Sequence, residues 1–176
     1  RREEHPVKKA KDIPYFKGPG GLPGLTVQIS TREQLTKRLL DSETAMLYVP
    51  VHILAEDARL CQILANRGRC AAVLPRVVHD DELPRLISRL HTVRSLGIRD
   101  ALVGNIGLMI PAKEAGFRLR GDFGLNIFNS ASANVCRDLK LASATVSFEM
   151  TLPQIRDLSK AVNMEMIVYG RLPLMI

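Results

Sequence analysis

Phe117-Arg118-Leu119-Arg120-Gly121-Asp122-Phe123-Gly124-Leu125 reads as a strand, and Asn129-Ser130-Ala131-Ser132-Ala133 opens a helix that its spacing carries to Leu139. Between the two, Asp122, Asn126, Asn129 and Ser130 set proton-transfer and hydrogen-bonding groups on an apolar background. Asn129 or Ser130 suits a helix cap, and the same groups equally suit chemistry at a strand end. A strand, a polar turn and a helix make one βα unit, and the fold depends on whether the unit repeats.

It does repeat in both directions. Upstream, strands are expected at Leu25–Ser30, Ala45–Val49, Cys70–Leu74 and Ala101–Val103. The helices between them run from a capping box at Ser30 or Thr31 to Leu40, from Glu56 to Asn66, from Asp80 and Asp81 to Leu96, and from Gly107 to Ala115. Gly68, Gly97 and Gly116 stop the last three. Downstream come a strand at Ala144–Phe148, a helix from Thr151 to Ala161 and a last strand at Glu165–Tyr169. Residues 1–24 read as a linker, because their charged opening and Gly18-Pro19-Gly20-Gly21-Leu22-Pro23-Gly24 hold neither a helix nor a central strand.

Short apolar strands with a helix after nearly every one predict a parallel sheet buried on both faces. Residues 25–176 are therefore expected to form an incomplete TIM-like (β/α)8 barrel of about seven parallel strands, with an open doubly wound parallel sheet as the alternative. Aromatics are 5% of the 176 residues and tryptophan is absent, so aliphatic side chains must fill the core. A barrel short of one strand has two unpaired edges. The strand at Ala45–Val49 should be interior, and the first and last strands should flank the gap, to be closed by the rest of a parent chain or by a second copy across the open edge.

In parallel α/β folds, sites gather where the strands end. Polar groups follow the strands here: Gln28 and Ser30, His52, Arg76, Asn105, Asp122 with Asn126, Glu149, then Tyr169 and Arg171. Asp122 and Glu149 are the candidate acid–base carboxylates. Asn126, Asn129, Arg171, Tyr169, Arg76 and His52 are the candidate substrate-binding groups, Arg171 being suited to a bidentate grip on a carboxylate or phosphate. Glu149 would also be favoured by the dipole of the helix behind it, and Arg171 would equally serve as a structural bridge. His52 and Glu56 stand four residues apart, but one His with one Glu does not make a metal site, and none is expected. There is no GxSxG elbow and no HExxH.

Net charge is +7, with an excess of three positive charges inside residues 1–17. That surplus fits a solvated surface, an acidic partner or RNA and does not choose among them. Cys61, Cys70 and Cys136 are widely spaced without a CxxC pair, which predicts reduced, buried thiols in a cytoplasmic protein. No apolar run reaches transmembrane length, so no membrane association is expected. The chain begins without methionine and stops on Leu172-Pro173-Leu174-Met175-Ile176, which reads as a piece of a longer protein.

Three blocks together resemble peptidase family U-32, the collagenase-like proteases. They are Gly121-Asp122-Phe123-Gly124-Leu125-Asn126-Ile127-Phe128-Asn129-Ser130, Glu149-Met150-Thr151-Leu152-Pro153-Gln154-Ile155 and Tyr169-Gly170-Arg171-Leu172-Pro173-Leu174-Met175. They occur in the family's order, and the match looks closest to the second barrel-like segment of its long members. The resemblance implies a TIM-like barrel and proteolysis of a peptide or protein substrate, with no agreed nucleophile or metal. Gly124 stands where Ser is common, so no hydroxyl nucleophile is implied there. Other members are similar to proteins needed for hydroxylating RNA bases or quinone precursors, with an iron–sulfur cluster on cysteines. Those cysteines would lie beyond this chain, because Cys61, Cys70 and Cys136 do not match them, and no cofactor is implied within it. A non-catalytic scaffold or RNA-binding barrel is the third expectation.

Overall fold

The computed structural model describes residues 12–18 and 20–171. Seven short strands lie side by side in chain order: β1 (Thr26–Gln28), β2 (Met46–Pro50), β3 (Cys70–Val73), β4 (Asp100–Val103), β5 (Arg118–Gly121), β6 (Ser143–Thr145) and β7 (Asn163–Glu165). Every neighbouring pair is parallel. The connections carry helices α1 (Lys37–Leu40), α2 (Val51–Glu56), α3 (Ala58–Asn66), α4 (Leu83–Ser95), α5 (Met109–Glu114), α6 (Ser130–Asp138) and α7 (Leu152–Asp157).

Strand side chains alternate between two faces, and the two faces have different neighbours. Leu47, Val49, Ala72, Ala101, Val103 and Leu119 pack with Leu54, Leu64, Leu90 and Val93 of the helices in one large core. Met46, Tyr48, Ala71 and Leu102 point the other way and form a second cluster that contains no helix residue. The helices therefore cover one face only, and the sheet's own curvature encloses the other. The Tyr48 hydroxyl donates to both Glu165 carboxylate oxygens at 2.8 Å, from β2 to β7. In a flat sheet, with strands about 4.8 Å apart, those strands would be roughly 24 Å from each other. The sheet is thus curled into an incomplete TIM-like barrel. The doubly wound alternative fails, since it needs helices on both faces and a reversal of strand order. As expected, β2 is interior, and β1 and β7 are the end strands.

Several boundaries differ from expectation. The strand before Asp122 ends at Gly121 instead of Leu125, because Phe123–Leu125 turn into a 3-10 helix that Asp122 caps. The last strand lies at Asn163–Glu165 rather than Glu165–Tyr169, and Met166, Val168 and Tyr169 beyond it are exposed. The helix expected through Ala161 ends at Asp157, where Leu158 turns extended. The first helix is two pieces, a 3-10 turn at Arg32–Gln34 and the single turn α1. Gln34 does reach back to the Thr31 amide as the capping box requires (3.1 Å). Helix α2 was not expected at all.

Part of the expected linker is docked. The Phe16 amide donates to Ser159 Oγ (3.0 Å), the Lys160 amide to Phe16 O (2.8 Å) and Asn134 Nδ2 to Pro14 O (2.9 Å). The Arg137 guanidinium lies 4.3 Å from the Phe16 ring centroid. Residues 14–16 form a strap against α6 and the approach to β7. Residues 1–11 and the Leu172–Met175 block lie outside the described residues.

Candidate functional site

The carboxyl ends of β3, β4 and β5 bring Arg76, Gly104 and Asp122 together. Asp122 follows β5 and is 5% exposed. Its amide still bonds Val103 O (2.9 Å), and its Oδ1 accepts the Phe123 amide (2.8 Å). That cap starts the 3-10 turn, which Asn126 closes with φ +51 and an amide bond to Phe123 O (2.9 Å). Asn tolerates the left-handed conformation better than most residues. Burial pushes the Asp122 carboxyl above its ordinary value, the Phe123 amide and Arg76 charge oppose the rise, and the Glu165 charge adds to it.

Arg76 leaves β3 after Leu74 and Pro75, and its guanidinium carbon lies 4.7 Å from the Phe123 ring centroid. Its carbonyl is tied down by Asn105 Nδ2 (3.1 Å). Gly104 adjoins both groups: a Cβ there would stand 3.4 Å from Arg76 Cγ and 3.4 Å from Asp122 Oδ2. Arg76 NH1 is buried without a hydrogen-bond partner among the described residues. A buried guanidinium nitrogen without an acceptor is costly, and across Gly104 stands the Asp122 carboxyl that burial pushes up. Phe148, after β6, meets Phe123 edge-on with centroids 5.8 Å apart.

The other expected site residues, Glu149, Tyr169, Arg171, Asn126, Asn129 and His52, are all exposed. Glu149 is exposed, and its amide makes a 3.5 Å contact with Ser147 Oγ. The carboxylate whose charge reaches Asp122 is Glu165 instead. Tyr169 is 97% exposed, and Arg171, the last described residue, is exposed too. Asn126 presents its side chain to solvent from the turn. Asn129 is the cap of α6, its Oδ1 accepting the Ser132 amide (2.9 Å), while Ser130 Oγ accepts the Ser159 amide (3.0 Å). His52 is exposed on α2 and lines a different cavity, of about 260 Å³, with Ser30, Thr31, Arg32 and Glu56.

The barrel interior holds a charged chain that the sequence reading missed. Asp100 accepts from Arg118 Nε (2.8 Å) and NH2 (2.9 Å) and from Arg120 Nε (3.0 Å). Arg120 NH1 donates to Ser143 Oγ (3.1 Å) and lies 3.6 Å from Glu165 Oε1. Glu165 also accepts from Thr26 Oγ1 of β1 (3.3 Å). Burial, followed by the charge of Glu165, raises the Tyr48 phenol well above its ordinary range. The available signal was Arg118 and Arg120 at strand spacing, which puts both on one face.

Cys61, Cys70 and Cys136 are buried on three different elements, and burial pushes each thiol up, Cys61 to about 11 and Cys70 to about 12. Among the described residues, no three His, Cys, Asp or Glu side chains gather as metal ligands. No helix among them is long and apolar enough to cross a membrane.

Residues 58–176 match the family model described as peptidase family U32, a span that includes Arg76, Asp122, Glu149, Tyr169 and Arg171 but not His52. No curated protein matches the chain. Among solved structures it is similar to one described as "QR15, an Aldolase", with a TM-score of 0.47 and 10% identity over 76% of this chain and 72% of that chain.

Proposed function

Because the chain belongs to peptidase family U32, we propose that the carboxyl-end mouth of its barrel hydrolyses peptide bonds, with Asp122 as general acid–base and Arg76 as the donor to the scissile carbonyl oxygen. The observation that carries this reading is the pairing of buried Asp122 with a neighbouring guanidinium whose NH1 has no acceptor among the described residues. Asp122 in its ionised form takes a proton from water as the water oxygen bonds to the carbonyl carbon. Arg76 NH1 donates a hydrogen bond to the developing oxyanion, which supplies the missing acceptor. Asp122 then returns the proton to the departing amine as the C–N bond breaks, leaving an acid and an amine. A carboxyl raised by burial is a stronger base than an ordinary one, which suits the first step. Glu149, Asn126, Tyr169 and Arg171, all exposed, are the groups offered to the substrate chain.

Gelatin or a collagen peptide incubated with the full-length protein tests the reading. Asp122→Asn should lower kcat/KM by about 10²–10⁴-fold, and Arg76→Ala by about 10²–10³-fold. Glu149→Gln should raise KM more than it lowers kcat. No cleavage, or cleavage indifferent to Asp122→Asn, would sink the assignment.

A second reading has its own support. Phe123, Phe148 and the Arg76 guanidinium offer flat surfaces on which a nucleobase can stack, and the chain carries a net +7. An RNA-modifying role, with an iron–sulfur cluster on cysteines outside this chain, accommodates both. Anaerobically purified full-length protein should then contain iron and bind single-stranded RNA more weakly after Phe123→Ala. An iron-free, RNA-indifferent product would dismiss it.

A further inference from the structure

At the end of the barrel away from Asp122, a cavity of about 190 Å³ opens between α1, α3 and the first residues of β2 and β3. It exists because α1 is a single turn of four residues, too short to cover the sheet beneath it. Its floor is aliphatic, formed by Leu39 and Leu40 of α1, Leu47 of β2 and Leu64 of α3. Leu47 and Leu64 are otherwise fully packed, at 6% and 1% exposure.

The rim is cationic. Gly68, at φ +67, reverses the chain after α3, so Arg67 and Arg69 stand on either side of the turn and both line the opening. Neither guanidinium is closely held. Among the described residues, Arg69 NH1 donates to Thr44 O at a long 3.5 Å, and Arg67 NH2 lies 3.8 Å from Asp41 Oδ1 on the exposed side of the rim. Each guanidinium has five N–H groups in a fork that matches a carboxylate. Lys37 and Arg38 of α1 add positive charge against Asp41 and Glu43.

We propose that this cavity is a binding site for a short aliphatic carboxylate, its chain on the leucine floor and its head group on Arg69 and Arg67. The volume fits: an apolar cavity of about 150 Å³ is known to accept a six-carbon ring. The charge selects the head group, since an amine would face two guanidiniums and an alcohol would leave their donors without an ionic partner. The site binds without reacting, because the Cys70 thiol on its wall is pushed up to about 12 and is protonated at neutral pH. The inference is independent of the chemistry assigned to the mouth.

Calorimetric titration of the full chain with sodium hexanoate, hexan-1-ol, hexylamine and acetate tests it. Hexanoate should bind saturably, with hexan-1-ol and acetate at least about tenfold weaker and hexylamine weaker still. Arg69→Ala should weaken hexanoate by about tenfold or more and leave hexan-1-ol unchanged. Leu64→Phe should fill the floor and remove binding of both, and Leu40→Phe, on the half-exposed side, should do the same if Leu64→Phe compromises folding. No saturable hexanoate binding at about 10 mM, equal binding of hexan-1-ol or hexylamine, or full affinity in both Arg69→Ala and Arg67→Ala would overturn the proposal.

Discussion

A Cβ on Gly124 would lie 2.6 Å from the carbonyl oxygen of Gly104, closer than real Cβ atoms approach backbone. Gly124→Ser should therefore push the β4 and β5 ends apart and cost about 1–3 kcal/mol, read as a drop of roughly 2–4 °C in Tm per kcal/mol. An unchanged Tm would mean that the two loops are not in contact. Asp122, two residues before, makes a pH prediction. Burial raises its folded-state pKa above the unfolded value, so the folded chain binds the proton more tightly. Its contribution to stability is present below the unfolded pKa, near about 3.9, and is lost as pH climbs through the raised folded value. Asn keeps the oxygen that accepts the Phe123 amide and removes the charge. Relative to wild type, Asp122→Asn should gain thermal stability as pH rises from the unfolded pKa through the raised folded value and then level off, and a pH-independent difference would contradict the burial argument. Asp122 stood out in the sequence because an acid on an apolar background has few structural excuses. Arg76 was legible only as a strand-end cation, since neither its stack on Phe123 nor its partnerless NH1 is local in sequence. Glu165 was hidden because it was read as the first residue of an apolar strand, whereas it is the last residue of β7.

Among the elements, the strand–helix rhythm was readable because each central strand is a short apolar run closed by Gly, Pro or a polar residue. The ends of elements were less readable, for identifiable reasons. Pro50, directly after the expected strand at Ala45–Val49, suits a strand end, but a proline also suits the entrance to a helix, where a backbone donor is not needed, and α2 begins at Val51. Met166-Ile167-Val168-Tyr169 has strand composition, yet those residues follow the last pairing of β6 with β7 at Thr145 and Glu165. The strap was unreadable because its partners, Asn134 and Ser159, lie more than a hundred residues away. Asn134→Ala removes the donor to Pro14 O, should cost roughly 1–2 kcal/mol and should speed amide exchange at Phe16 and Lys160. Exchange at those amides that stays at wild-type rates would mean the strap is held by something else.

At the scale of the whole molecule, helices cover the outer face and a charged chain occupies the inner one. Glu165 joins the two end strands to each other and to β2 through Thr26 and Tyr48, where a complete barrel would place another strand. Glu165→Ala leaves the Tyr48 hydroxyl without its acceptor and removes the Arg120 ion pair, which should cost about 3 kcal/mol, and Glu165→Gln should cost less. Amide exchange should rise in β1 and β7 and stay slow in β3 and β4; a uniform rise would refute the localised effect. The sequential order of the sheet has a further consequence, for folding. Thr26 meets Met46 across a separation of 20 residues, and every later strand also finds its neighbour nearby in the chain. Thr26 meets Glu165 across 139 residues, a closure that costs roughly 1.7 kcal/mol more in chain entropy. The sheet can therefore zip along the chain, with the Glu165 seam forming after the folding barrier. Substitutions at Thr26, Tyr48 or Glu165 should then speed unfolding and leave the refolding rate nearly unchanged, which stopped-flow measurement of both limbs reads directly.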